Sequence, residues 1–467
     1  MAEEGEYPMS PTAFDYADLV QEARAFEFPS PRPRREVVEA LPEPAPFNLI
    51  HAITGIRRCG KTFYAFQLIQ QLLSRGVPRD RVFYFNLSDD RLRPTPPALL
   101  NDVVEEYWRQ VPSARSEGCY LFLDEVQEAD DWEGFCQRIA ERERVTLVVT
   151  GSSSKLSADE IASRFRGRLL EHPMRPLSFV EFCLFNGIYL PDADDLALAG
   201  SVAPAMRSSL EAAFDRYLIE GGFPGAQGCG GAERMALLQT YVRDVVVRDV
   251  VDRYPRAGVA LANQVALYGL RNTGCELSVN SLVASLKKVG YPTTWETVSE
   301  VSRLLEQAHL YDGVSEYSTS FSPSSTATRK VYAVDTGMAH AVSRASQQDA
   351  GKRLETAVHN ELARRAASAR IDTVCSFTVP GAKREKVDFV VGDALSLEPY
   401  GLIQVTVDMT ADRTRAREIG SLASAMRYAG VDKGLVVTLR ERSTIEVPEG
   451  MIEVVPAWHW ALMDGWE

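Results

Sequence analysis

Chemistry is first offered by Gly55, Ile56, Arg57, Arg58, Cys59, Gly60, Lys61 and Thr62, which read G-x-x-x-x-G-K-T, with Phe63 continuing into the next element. Glycines at these two places let the backbone curl until its N–H groups converge on an anion. The Lys supplies a compact cation for β- and γ-phosphates, and the Thr62 hydroxyl is a Mg2+ ligand. About sixty residues on, an apolar run at 119–123 ends in Asp124 and Glu125. A carboxylate at a strand end beside a phosphate loop, here Asp124, supports the metal, while its neighbour Glu125 is placed to orient an attacking water. A third apolar run, 145–149, leads into Thr150, Gly151, Ser152 and Ser153. Ser152, or alternatively Ser153, is the candidate taken from this strand end. Arg164, Arg166 and Arg168 follow within five positions. One of them, with Arg168 preferred, would serve as an arginine finger in its own chain or a neighbour's; the alternative is a solvated charged turn.

These groups need a parallel sheet to carry them. Short apolar runs at 48–54, 81–87, 119–124 and 145–150 read as strands, and 61–75, 97–110 and 132–144 carry apolar residues at helical spacing between them. An extended stretch near 168–176 precedes Ser178, a cap for a helix at 179–185. Residues 208–255 read as helical, broken at Gly221, Gly222, Phe223, Pro224 and Gly225. Helices at 281–289 and 294–307, a turn at 290–292 and strands at 310–317 and 330–334 follow the order of a winged helix, with 318–328 as the wing tip. Beyond 337 a helix at 354–367, strands at 373–379, 386–391 and 401–407, a helix at 414–428 and a strand at 434–438 predict a further α/β unit.

Composition bounds the reading. The chain has 467 residues, 45% hydrophobic and 25% charged, which fits about three globular domains. A net charge of -13 argues against a surface that is basic all over. Ten acids and four arginines lie in residues 1–50, a region also rich in proline, so 1–46 reads as an acidic arm, either a tail or a strap. Seven cysteines without a C-x-x-C pair point away from disulfides and zinc. With no run of about 18 apolar residues and no basic-then-apolar leader, the expectation is a cytoplasmic protein with no membrane partner.

Taken in order, GIRRCGKT, YLFLDEVQEADDW, VVTGSSSKL, RFRGRLLEHPMRPLSFVEF, YLIEGGFP, VYAVDTGM and KVDFVV resemble bacterial and archaeal AAA-type ATPases fused to a C-terminal domain of unknown function. The resemblance runs from about residue 48 to the end. It implies an α/β fold in these parts: a P-loop AAA core (47–190), a helical lid (191–255), a winged helix (256–335) and a C-terminal α/β domain similar to restriction endonucleases of the PD-(D/E)xK type (336–467). It also implies ATP and Mg2+ as cofactors, assembly into a homo-oligomer, and a contact from Ser152 or Ser153 to the reacting phosphate or the water.

The endonuclease-like site needs a helix carboxylate, a strand Asp and an acid-x-Lys on the next strand, because carboxylates hold the metal and the Lys handles the water or the phosphorane. Glu355 and Asp388 fit the first two. The next strand offers Gln404, Val405 and Thr406, an amide for the acid and a hydroxyl for the Lys. A degenerate nuclease centre is expected, with Lys383, Arg384, Lys386, Arg413, Arg415 and Arg417 free to bind phosphate backbone without cleaving it. Eight basic and seven acidic residues in 251–330 leave the winged helix near neutral, with Arg329 and Lys330 beside the wing as its candidate phosphate contacts. The expected function is ATP hydrolysis coupled to DNA association, in defence or repair; the alternative is a nucleotide-switched scaffold acting through protein partners.

Overall fold

The computed structural model describes residues 16–35, 38, 40–152, 165, 167–192, 196, 202–317, 329–343, 350–367, 372–381, 385–393 and 398–463. Ser153, Arg164, Arg166, the wing tip 318–328, Lys383 and Arg384 lie outside them.

The N-terminal half begins with helix α1 (Tyr16–Ala25), followed by β1 (Ile50–Thr54), α2 (Lys61–Ser74), β2 (Val82–Asn86), α3 (Leu99–Gln110), α4 (Pro112–Ser116), β3 (Cys119–Asp124), α5 (Trp132–Arg142), β4 (Val145–Thr150), β5 (Leu169–Pro173) and α6 (Phe179–Phe185). The strands form a parallel sheet in the order β2-β3-β4-β1-β5. β1, β3 and β4 are buried at every residue, as a sheet covered on both faces requires. Alternation sends Ile50, Ala52, Leu121, Leu123, Leu147 and Val149 into one core with α3 and α5, and Ile53, Phe122 and Val148 into another with α2. β4 lies between the two strands that carry the sequence motifs.

From Tyr16 onward the acidic arm is a strap. Phe26 and Phe28 pack on Phe66 with ring centroids 5.8 and 5.6 Å apart. Further along, Tyr64 Oη accepts the Val38 N–H at 2.9 Å, and the Thr146 hydroxyl donates to Pro42 O at 2.7 Å.

The middle of the chain holds α7 (Pro204–Glu220), α8 (Gly231–Val245) running into a π-helical turn at Val246–Val251, α9 (Gly258–Arg271), β6 (Cys275–Leu277), α10 (Val279–Lys288), α11 (Trp295–Gln307), β7 (Tyr311–Val314), β8 (Arg329–Ala333) and α12 (Thr336–Val342). β6, β8 and β7 make a three-stranded antiparallel sheet with β8 central. The expected lid at 191–255 is not one body. Leu210, Phe214 and Tyr217 of α7 join a core with α6 and the C-terminal domain, whereas Leu238, Val242 and Val245 of α8 join the core that runs under α2 and through α9 to α12. Apolar spacing marks a buried face without saying which neighbour buries it, so two adjacent helices read as a pair.

The last third contains α13 (Ala350–Ala367), β9 (Asp372–Thr378), β10 (Lys386–Asp393), β11 (Pro399–Val405), α14 (Asp412–Ala429), β12 (Lys433–Thr438), β13 (Ser443–Val447), β14 (Gly450–Pro456) and α15 (Ala457–Leu462). Its sheet runs β13-β14-β12-β11-β10-β9, an antiparallel β9-β10-β11 meander joined to parallel β12 and β14. The β9/β10 register shifts between Val387 and Val390, a bulge that re-aims the side chain of Asp388. Among the described residues no helix is long and apolar enough to cross a membrane.

Candidate functional site at the P-loop

The loop between β1 and α2 depends on two glycines. Gly55 has φ 144°, and a Cβ there would lie 2.1 Å from Met174 O; Gly60 has φ 108°, where a Cβ would lie 3.1 Å from the Arg34 guanidinium. Lys61 is 5% exposed and donates to Gly55 O at 3.0 Å and Ile56 O at 3.2 Å. At the head of α2, the Thr62 hydroxyl donates to Asp124 Oδ2 at 2.9 Å.

Asp124 is 2% exposed at the end of β3. The Tyr84 hydroxyl donates to Oδ2 at 2.8 Å, and the Thr150 hydroxyl, at the end of the intervening β4, donates to Oδ1. Burial raises the Asp124 pKa above the usual aspartate value, and the hydroxyls of Thr150, Tyr84 and Thr62 pull it back. A buried carboxylate hydrogen-bonded by neutral hydroxyls, one of them the P-loop Thr62, suits a divalent cation. Glu125 takes a left-handed backbone (φ 54°), its N–H donates to Thr150 Oγ1 at 3.1 Å, and its carboxylate accepts from the Gln127 amide.

Thr150 and Tyr84 were missed in the sequence. The end of β4 is legible: its last strand residue, Thr150, is a partner of Asp124, and Ser152, the candidate for facing the phosphate, is buried two positions on. Alternation carries the signal: strand residues of one parity share a face, and register puts β4 beside β3.

Arg57 and Arg58 do more than fill the motif. Arg57 makes a two-pronged contact with Asp249 in the π-helical turn, at 2.8 and 3.1 Å, and Arg58 lies over the Tyr241 ring and 3.8 Å from Asp244. The loop is thereby tied to α8. Cys59 is fully buried, while Phe63 is exposed.

Behind the loop, the strap contributes Arg34. Its guanidinium donates to Cys59 O at 2.7 Å, Arg175 O at 2.8 Å and Glu181 Oε1 at 2.9 Å. Glu181 also closes a capping box with Ser178 on α6. Burial opposes the Glu181 charge, but Arg34 and the N–H groups of Ser178 and Arg35 outweigh it and hold its pKa below the usual value. Arg175 then reaches away from the loop, donating to Asp312 on β7 and to Asn360 on α13 at 2.9 Å.

Arg168 is a correction. It stands before β5, pairs with Glu141 of α5 and lies over Phe47. Five strand residues at about 3.3 Å each separate it from the end of the sheet that carries the P-loop, so it does not enter its own chain's site. The sequence left open whether the finger acts in its own chain or a neighbour's, and the parallel topology, which brings each connection back to the far edge, leaves Arg168 only the second.

Three other motifs converge at one junction. Asp335 caps α12 through the Met338 N–H at 2.8 Å and accepts the Gly222 N–H at 2.5 Å, while a Cβ on Gly222 would lie 2.3 Å from Leu177 O and one on Gly337 2.3 Å from Glu220 O. Their glycines serve backbone contact.

In the C-terminal domain Glu355 and Asp388 do come together. Lys330 of β8 pairs with both, at 3.2 Å from Asp388 Oδ1, and the Tyr332 hydroxyl donates to Glu355 Oε1 at 2.6 Å. Gln404 turns its amide N–H to Glu418 Oε2 at 2.7 Å and its carbonyl oxygen toward the Asp388 N–H at 3.4 Å. The two cations expected beside a wing are thus engaged: Lys330 here, and Arg329 with Glu306 at 2.9 Å and Gly313 O at 2.7 Å. Lys386 pairs with Glu276 and Arg417 with Glu418.

Comparison with known proteins agrees at the level of the N-terminal domain. Residues 48–183 match the family model described as an AAA domain, and residues 211–349 match one described as a domain of unknown function, DUF8612. The chain therefore carries an AAA-type P-loop domain. An uncharacterized protein of Methanocaldococcus jannaschii is 27% identical over 89% of this chain and 88% of its own length, and one of Haemophilus influenzae is 24% identical over 74% and 80%. Among solved structures, the Aeropyrum pernix ORC1 protein in complex with DNA aligns with 70% of this chain and 89% of its own at 17% identity and a TM-score of 0.29; Hsp104 with ATPγS and casein aligns with 52% and 47% at 13% identity and 0.25.

Proposed function

We propose that the chain binds ATP at the P-loop, hydrolyses it with Mg2+, and uses the nucleotide state to move its other domains. The observation that carries this is the meeting of Thr62, at the head of α2, with buried Asp124, with Glu125 next in the chain. Backbone N–H groups of residues 55–62 and the Lys61 ammonium would take the phosphates, Lys61 exchanging two loop carbonyls for phosphate oxygens. Thr62 and Asp124 would hold Mg2+, which supplies compensation for charge on the phosphates. Glu125 would orient the water, with Thr150 fixing its backbone. Arg168 stands at the far edge, so it would serve as an arginine finger only from a second copy of the chain; Arg164 and Arg166 are the other candidates, and a homo-oligomer is part of this reading.

Coupling has a physical route. Arg34 binds the loop carbonyl of Cys59 and the carbonyl of Arg175, whose guanidinium grips β7 and α13, while Arg57 grips Asp249. The order α9-β6-α10-α11-β7-β8 supports reading a winged helix, and α13-β9-β10-β11-α14-β12 supports reading an endonuclease-like fold. On that basis the output we propose is DNA association with no strand cleavage. A second reading, a nucleotide-switched scaffold for protein partners, is favoured by the internal pairing of Arg329 and Lys330.

The test is ATP turnover by the wild type and Glu125→Gln with and without duplex DNA, single-stranded DNA and RNA at several salt concentrations. Turnover lost in Glu125→Gln and stimulated by DNA, with stimulation fading as salt rises, supports the first reading. Turnover indifferent to every nucleic acid supports the second, and turnover unchanged in Glu125→Gln overturns the assignment of Glu125.

A further inference from the structure

The Glu355–Asp388 pair has a feature that a degenerate nuclease centre does not require. Two carboxylates, one from α13 and one from the bulge in β10, are turned toward a single ammonium that belongs to a different domain. Glu355, Asp388 and Lys330 are between 14% and 19% exposed, so each charge has lost most of its water and depends on the others. Burial works against the Lys330 charge, yet Glu355 and Asp388 outweigh it and hold its pKa above the usual lysine value.

Strand geometry explains how the ammonium gets there. Lys330 and Tyr332 lie on one face of β8, and both reach Glu355, while Arg329, on the other face, goes to Glu306. On the far side, Asp388 Oδ2 accepts the Val405 N–H at 2.9 Å. Each carboxylate thus has one oxygen on the Lys330 ammonium. A divalent ion bridging a helix acid and a strand acid would take the same oxygens.

We propose that Lys330 is the resident cation of the Glu355–Asp388 site. Its ammonium fills the place of a divalent ion and latches the β7–β8 hairpin to the C-terminal domain, and the pair stays closed to metal while the hairpin is docked. The inference does not depend on ATP turnover, since none of these residues belongs to the P-loop site. The same junction is also held by Tyr317 N–H to Ser376 O at 2.7 Å and Ser376 N–H to Ser315 O at 3.0 Å, so removing the ammonium leaves the domains attached.

The experiment titrates Mn2+ into the EDTA-treated full chain, reading free Mn2+ by its EPR signal, in an Asp124→Asn background that removes the P-loop metal ligand. No Mn2+ binding that depends on Asp388 is expected in that background. Adding Lys330→Met is expected to create about one bound Mn2+ per chain, which Asp388→Asn then removes. Asp388-dependent binding with Lys330 in place, or no gain in folded Lys330→Met protein, would overturn the proposal. Burial and Asp388 push the Glu355 pKa up to about 7, so thermal melting above that pH gives a second reading: Lys330→Met is expected to lower the melting temperature, and Lys330→Met/Glu355→Gln, which there removes one charge of each sign, to recover much of the loss. Failure to recover it would also count against the latch.

Discussion

Asp124 at the P-loop and the Glu355–Asp388 pair of the C-terminal domain are compensated in opposite ways. At the P-loop, Asp124 is held by the hydroxyls of Thr62, Tyr84 and Thr150, neutral donors that fix its geometry and leave its charge in place. In the C-terminal domain, Glu355 and Asp388 are met by the full positive charge of Lys330. A carboxylate among hydroxyls is a ligand in waiting, whereas one paired with an ammonium is already satisfied. Counting acids in a motif does not separate the two; the charge of the neighbours does.

The comparison is broken most directly by the same substitution in both places. Asp124→Asn is expected to lower ATP turnover by about 100-fold or more, the scale of losing an electrostatic stabiliser of the transition state. Asp388→Asn is expected to leave turnover within about 2-fold, well below that scale. Steady-state kinetics at saturating Mg-ATP reads both, and equal losses would erase the distinction.

Next in size is the stability contrast. Lys330→Met strands two partly buried carboxylates and is expected to destabilise by about 3 kcal/mol, the low end for breaking a buried ion pair. Thr150→Val removes one hydroxyl from Asp124 and is expected to cost about 1 kcal/mol of stability while turnover falls about 10-fold. Urea melts alongside turnover separate them: the first variant loses stability and the second mainly rate.

A pH series sharpens the role of the strap. Glu181 has its folded-state pKa depressed below 4.5, so its pair with Arg34 contributes stability above that value and loses it as pH falls through the lower, folded-state value. Glu181→Gln is expected to flatten the acid limb of the melting curve below about pH 4.5. An unchanged acid limb would mean that other carboxylates set it.

The smallest effect concerns Cys59. A P-loop thiol suggests sensitivity to alkylation, but this one is fully buried. Native protein is expected to keep most of its turnover after brief treatment with a thiol reagent, losing it only when unfolding exposes the loop.

What the sequence disclosed follows from how local each signal is. β3, β4 and α6 lie where apolar runs and the Ser178 cap put them, because strand, turn and helix signals act within a few residues. The P-loop lies where its spacing puts it for the same reason. Arg34 was hidden among prolines because its partners at Cys59, Arg175 and Glu181 are fixed only by the tertiary fold. Lys330 was read as a wing contact for phosphate, since nothing within its own strand announces Glu355 or Asp388. Arg168 could not be placed from sequence, because the motif does not say at which edge of the sheet a residue before β5 stands. Asp388, Glu355 and Gln404 were legible as a set, but not the cation among them.

The strap has a consequence for how the molecule is made. Arg34 is translated before any strand of the parallel sheet, yet the carboxylate that receives it lies 147 residues downstream. At about 5–20 residues per second that wait lasts many seconds, during which strands β1 to β4 are synthesised without this ion pair. The Arg34–Glu181 pair is thus among the last contacts of the strap to form, after those it makes with α2, and its arrival closes the phosphate loop from behind.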